Sequence, residues 1–155
     1  MNATIGDATD PHSNPDFPPN DQSLSEVMVE LFERLSSWEL SVVAESGLSL
    51  PLMHAVELLG IYGPMKMRDL CARLGVTTGT LTVTVDKLEK AGLVARVANP
   101  EDRRSWFIEL TEAGKKTQAE HSAYHRRLVA EATSGFSEGE LTRFAEFIRR
   151  FVSNM

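Results

Sequence analysis

From Ser23 onward the apolar residues Leu24, Val27, Met28, Leu31, Leu35, Trp38 and Val42 recur at steps of three and four. That spacing lines one face of a helix. Ser23 followed by Glu26 is a capping-box pair at its start, so the pattern predicts a long first helix over 23–47, closed near Gly47. A second helix is predicted from Ser49, with Pro51 in its first turn and Leu52, Val56 and Leu59 along it, before Gly60 and the Tyr62-Gly63-Pro64 turn. Met67, Leu70, Cys71 and Leu74 line one face of a short third helix that Gly75 ends, although Lys66 is a poor capping residue at its start.

The segment from Thr77 to Gly92 carries two patterns at once. Its first half alternates Thr with Leu or Val, which favours a strand. Leu81, Val85 and Leu88, followed by Lys-Ala-Gly, have the spacing and the stop of a helix. The helix is preferred, and it leaves Thr78, Thr82 and their neighbours facing solvent near its N-terminus. Val94–Ala98 and Ser105–Leu110 then read as two short strands around a turn-rich, charged tip, Asn99-Pro100-Glu101-Asp102-Arg103-Arg104. Thr111 caps a fifth helix running to about Thr133. Ser137 and Glu140 make a capping box for a sixth, with Leu141, Phe144, Ile148 and Phe151 on one face. Residues 1–22 contain four prolines and little apolar pattern, and are expected to form a flexible arm. The fold class is mostly α: a winged helix-turn-helix over about 50–110, with helices and a β-hairpin, flanked by long terminal helices over about 23–47 and 111–153.

A chain of 155 residues with 42% hydrophobic and 25% charged residues suits one globular domain, here 23–155, and leaves no room for a second catalytic one. Cys71 is the sole cysteine, which excludes an internal disulfide and a multi-cysteine metal site in one chain. No apolar run approaches the roughly 18 residues of a membrane span, and the first basic residue is Arg34, so a cytoplasmic location is expected. The net charge of −6 argues against a nucleic-acid partner only if charge is spread evenly. It is not. Lys66 to Arg104 holds eight basic residues against five acidic ones, a mildly basic segment within an acidic body.

Short helix, tight turn, helix and charged hairpin is the order of a winged helix-turn-helix, whose second helix enters the DNA major groove while the hairpin reaches backbone or minor groove. Four stretches carry a family likeness: Gly63-Pro64, Leu70 to Val76, Asp86 to Val94, and Asn99 to Arg104 with its Asp102-Arg103-Arg104 tip. With Leu110-Thr111-Glu112-Ala113-Gly114 they resemble the MarR family of bacterial transcription regulators, over nearly all of residues 23–152. The resemblance implies a homodimer on a pseudo-palindromic operator in double-stranded DNA. It puts the recognition helix on Thr77–Ala91 and the wing on Val94–Leu110, with DNA contact by Thr77, Thr78, Thr80, Thr82, Val83, Lys87, Arg96, Arg103 and Arg104. Val83 departs from the family, in which many members carry Arg or another polar residue there. Bidentate guanine readout from that position is lost, and Thr methyl contact with thymine and shape readout by the wing point to an A·T-rich operator.

The apolar stripes on the first and last helices, with Phe144, Phe147 and Phe151, exceed what so small a winged unit can cover, and call for a two-fold partner. Family members commonly release DNA on binding an effector. Two effector classes fit these residues: a divalent metal such as zinc, and a small organic ligand walled by Trp38, Tyr62, Met53 and Met65. His121 and His125 lie one helical turn apart, able to chelate one ion. Metal-sensing members of the family draw histidines from the second and fifth helices, which adds His54, with Glu33, Glu39 or Glu45 to complete a site. Cys71, on an inward stripe, reads as a buried structural thiol. No Gly-rich phosphate loop, nucleophile elbow or H-E-x-x-H pattern is present, so an enzyme is not expected, and no cofactor is required. The alternative is a winged helix serving only as a protein-interaction module, which the acidity permits.

Overall fold

Residues 19–99 and 105–155 are described by a computed structural model, with side chains from Ser23 on. The elements run α1 (Pro19–Glu45), α2 (Leu50–Tyr62), β1 (Met65–Lys66), α3 (Met67–Leu74), α4 (Thr78–Lys90), β2 (Val94–Ala98), β3 (Trp106–Leu110), α5 (Glu112–Ala132) and α6 (Glu138–Ser153). The predicted arm over 1–22 needs correction at its end. Helix α1 already begins at Pro19, because proline suits a first helical turn and nothing in Asn20-Asp21-Gln22 stops the helix. Ser23 and Glu26 therefore lie within α1 rather than at its cap. The rest of the arm is outside the described residues. The chain forms two compact units, one up to Ser41 and one over Val42–Met155. The winged part lies wholly in the second.

Three helices and a small sheet share the core of that second unit. Met53, Ala55, Val56 and Leu59 of α2, Leu70 and Cys71 of α3, Leu81, Val85 and Leu88 of α4, Val94 of β2 and Ile108 of β3 are all buried. A fully buried Leu, Val or Met contributes about 1.5–3 kcal/mol relative to exposure, so this cluster is the main source of cohesion. Met53 and Met65 belong to this buried cluster. The strand order is β1-β3-β2, all antiparallel. Strand β1 is an addition to the predicted hairpin: its two residues pair Met65 with Ile108 and Lys66 with Phe107, too short a stretch to leave an alternating pattern.

Helix wins over strand in the ambiguous segment for two reasons. Leu81, Val85 and Leu88 are each fully buried only at helical spacing, and Thr77 caps the helix by accepting the Thr80 N–H at 3.2 Å. Among the described residues no single helix is long and apolar enough to cross a membrane.

The Leu-Thr-x-x-Gly stretch is the joint between wing and α5. Thr111 donates its backbone N–H to the Leu93 carbonyl at 3.0 Å and its hydroxyl to the Gly92 carbonyl at 2.6 Å. The same hydroxyl oxygen accepts the Gly114 N–H at 3.1 Å, capping α5. Gly114 is pressed so close that a Cβ there would sit 2.0 Å from the Leu93 carbonyl oxygen. Helix α6 starts with the predicted capping box, in which Ser137 accepts from the Glu140 N–H and the Glu140 carboxylate accepts from Ser137. The Ser137 hydroxyl and then its backbone N–H hold the Glu140 carboxyl below its ordinary pKa. Beyond the cap, α6 buries none of its residues: Phe144, Phe147, Ile148, Phe151 and Val152 are all exposed.

Gly114→Ala is expected to lower stability by about 2–3 kcal/mol through backbone overpacking, whereas Gly135→Ala, where a Cβ meets nothing within 4 Å, should stay within about 0.5 kcal/mol of wild type. Urea unfolding followed by circular dichroism measures both.

Candidate nucleic-acid interface

Helix α3 ends on Gly75 in the left-handed conformation, φ +65°, and α4 begins three residues later. The left-handed Gly75 closes α3 and lets the chain turn into α4. Cys71 is buried at the joint, with its thiol 4.0 Å from the Thr78 hydroxyl, consistent with a structural role. Because Leu81, Val85 and Leu88 face the core, Thr78, Thr80, Thr82, Val83 and Lys87 are exposed as predicted. Thr77 is exposed at the cap, its hydroxyl 3.0 Å from that of Thr80. The threonines of α4 bond to their own helix: Thr82 donates to the Thr78 carbonyl at 2.8 Å and Thr84 to the Thr80 carbonyl at 3.1 Å. Lys87 and Lys90 lie in the last turn.

Arg96, expected among the DNA contacts, is engaged within the protein. Its guanidinium bridges back from β2 to α4, with Nη2 2.5 Å from Asp86 Oδ1 and Nη1 bonded to Glu89 Oε2. The hydrogen bond to Asp86 is the chief reason that its pKa is raised, partly offset by burial. With Asp86 and Glu89 substantially exposed, the bridge is worth only about 1 kcal/mol of stability. Its greater effect is geometric and electrostatic: it holds β2 to α4 and partly neutralises two carboxylates beside the exposed face of that helix. Ten residues separate Asp86 from Arg96, and no local pattern could pair them.

Arg103 and Arg104, at the tip, lie outside the described residues. On β3, Trp106 stands 49% exposed; the sequence reading missed it because it falls at a strand start, outside any charge pattern.

A second cluster lies between α2 and α5. His121 and His125 approach with Nε2 atoms 3.0 Å apart, and Glu57 Oε1 lies 3.4 Å from the first and 3.1 Å from the second. A tetrahedral ion with bonds of about 2.0–2.1 Å sets its ligand atoms about 3.3 Å apart, so these three match that spacing. His54, the predicted third ligand, is exposed and outside the cluster. One turn further along α2, Glu57 occupies the place expected for it. His121 is 3% exposed and lines a cavity of about 220 Å³ together with Glu45, Met53, Glu120 and Tyr124. Tyr124 donates to Glu45 at 2.9 Å, and that acceptor raises the pKa of the phenol. Tyr62, another predicted crevice wall, is half exposed beneath the Arg73 guanidinium, 3.7 Å from its ring centre.

A recognition-type helix with its apolar face anchored and a hairpin strapped beside it define a winged helix-turn-helix protein of the DNA-binding class. Residues 48–106 match the profile of the MarR family. The HTH-type transcriptional regulator MhqR of Bacillus subtilis is 30% identical over 112 residues, covering 72% of this chain and 77% of that protein. The fold is similar to that of Streptococcus pneumoniae FabT crystallised in complex with DNA, at a TM-score of 0.72 and 25% identity, covering 85% and 94% of the two chains. A MarR family protein from Bacillus stearothermophilus superimposes at 0.81, with 22% identity and 92% and 98% coverage. The chain belongs to the MarR family and is a transcription regulator.

On the reading that Arg96 orients the wing instead of contacting phosphate, Arg96→Ala should weaken duplex binding about tenfold while changing the slope of log K against log salt by less than one ion. A slope change of a full ion or more, read by fluorescence anisotropy over a salt series, would place its guanidinium on the backbone instead.

Proposed function

We propose that this protein is a homodimeric repressor that binds a pseudo-palindromic operator and responds to a small effector. The observation that supports it best is the outward face of α4, exposed from Thr77 to Lys90 while the opposite face is fully buried. FabT, a similar chain, is bound to DNA in its own crystal. Pairing comes from the terminal helices: α6 offers Phe144, Phe147 and Phe151, and α1 offers Leu24, Val27, Leu31 and Leu35, apolar stripes that a partner chain would bury. A two-fold dimer sets two α4 helices about 34–36 Å apart, one turn of DNA. Two heads and two wings on one duplex cover the promoter beneath them, and that occlusion is the basis for proposing repression.

With about eight phosphate contacts per dimer, log K should fall against log salt with a slope near −7. Arg103→Ala and Arg104→Ala should each weaken duplex affinity without altering sedimentation as a dimer or the melting temperature. Full affinity in both variants, or a monomer that retains no duplex at low salt, overturns the reading.

For the effector, the spacing of Glu57, His121 and His125 favours a divalent metal such as zinc over an organic compound. Two imidazoles and a carboxylate are a common zinc donor set that leaves a fourth position for water. An ion there would tie α2, which packs on α3 and α4, to α5. Isothermal titration with zinc should give one site per protomer; the His121→Ala, His125→Ala double variant should lose it, Glu57→Gln should weaken it, and His54→Ala should keep it. Unchanged zinc binding in the double variant removes the metal from the reading.

A further inference from the structure

Resting on the DNA-binding reading above, we infer that α4 reads thymine through its 5-methyl group, using a methyl-lined patch centred on Val83. At 3.6 residues per turn, Val83 falls almost opposite Leu81, Val85 and Leu88, which are fully buried, so it occupies the middle of the outward face. It is 54% exposed. Thr80 and Thr82 flank it, and Gly79 lies one turn before it, with nothing but the Thr77 hydroxyl near the place of a Cβ, at 3.9 Å. A base edge can therefore come close to the backbone there.

The chemistry of this face is set by where its hydroxyl protons go. The Thr82 proton is donated to the Thr78 carbonyl, and one proton is shared between the Thr77 and Thr80 oxygens. A threonine whose hydroxyl faces its own helix turns its methyl outward. Around Val83 the threonines thus offer methyl groups with part of their hydroxyl protons committed to the helix, while guanine shows two acceptors in the major groove and is read by Arg or Lys. Of the charged neighbours, Asp86 holds Arg96, and Lys87 stands one turn further along α4, beyond the methyl-lined patch. Thymine is the base that presents a methyl group in that groove, and apolar contact with it is the discrimination such a surface can make.

The test uses the full-length protein and a duplex enriched from a random library by binding. Each thymine is replaced in turn by deoxyuridine, which removes the methyl group and leaves every hydrogen-bonding atom. Affinity is read by fluorescence anisotropy. At least one thymine per half-site should lose about fourfold in affinity, the equivalent of one buried methyl group. In Val83→Ala, an exposed site where folding is safe, that loss should shrink below about twofold, and Thr82→Val, which keeps the methyl groups and removes the hydroxyl, should bind the thymine duplex within about twofold of wild type. Deoxyuridine tolerated at every position, or discrimination that survives Val83→Ala and collapses in Thr82→Val, overturns the methyl reading and leaves DNA binding standing. Failure to enrich any duplex overturns both.

Discussion

The burial of Leu81, Val85 and Leu88 is the constraint from which the working surface follows. These three side chains are fully removed from solvent against α2, α3 and the sheet, and each resists rotation of α4 by roughly the 1.5–3 kcal/mol of an exposed large apolar side chain. With the inward face pinned, the outward face has no freedom: Val83, Thr80 and Thr82 must point away. A β-branched sequence that would pass as a strand in isolation is held as a helix by this anchoring, by the Thr77 cap and by hydroxyls that bond back to carbonyls one turn earlier. Tertiary packing overrides local propensity here, as it commonly does where a weak preference meets a strong burial pattern.

The wing depends on the same helix from the other side. Arg96 crosses from β2 to Asp86 and Glu89, and the Thr111–Gly114 joint closes on the Gly92 and Leu93 carbonyls at the far end of the hairpin. One contact is ionic and partly screened by solvent. The other is steric and exact to a fraction of an ångström. Together they fix the base of the hairpin and strand β2 relative to α4.

Periodicity and punctuation made most of the fold legible. Helix starts at Ser49, Thr77, Thr111 and Ser137 all fall where a capping residue precedes an apolar repeat, and β2 spans the residues that alternation assigned to it. What escaped was non-local. Strand β1 exists because β3 offers an edge to two residues; Arg96 looks like a free cation until its partners on another element are known; Glu57 gives no sign that α5 brings two histidines to it. Pro19 escaped for the opposite reason: a proline-rich run resembles a breaker, yet its last proline is a good first residue for a helix.

The same pairings change the meaning of the basic segment. Counted along the chain, residues 66–104 carry an excess of positive charge, but Arg96 is committed to two carboxylates, Arg73 stacks on Tyr62 and Arg68 stands 3.5 Å from Asp69. With eight basic residues against five acidic ones the excess is small, and on the dimeric reading one head alone attracts phosphate weakly. On the dimeric reading, most of the affinity comes from placing two weak heads in register, a gain that vanishes when their spacing changes. An effector coupling of about 1–3 kcal/mol, as is usual between linked sites, is a small fraction of the interaction of a strongly basic protein with DNA, but a large fraction of what holds heads as weak as these. On that reading weak heads make the protein releasable, and the methyl contacts proposed for α4 carry more of the sequence choice than long-range charge does.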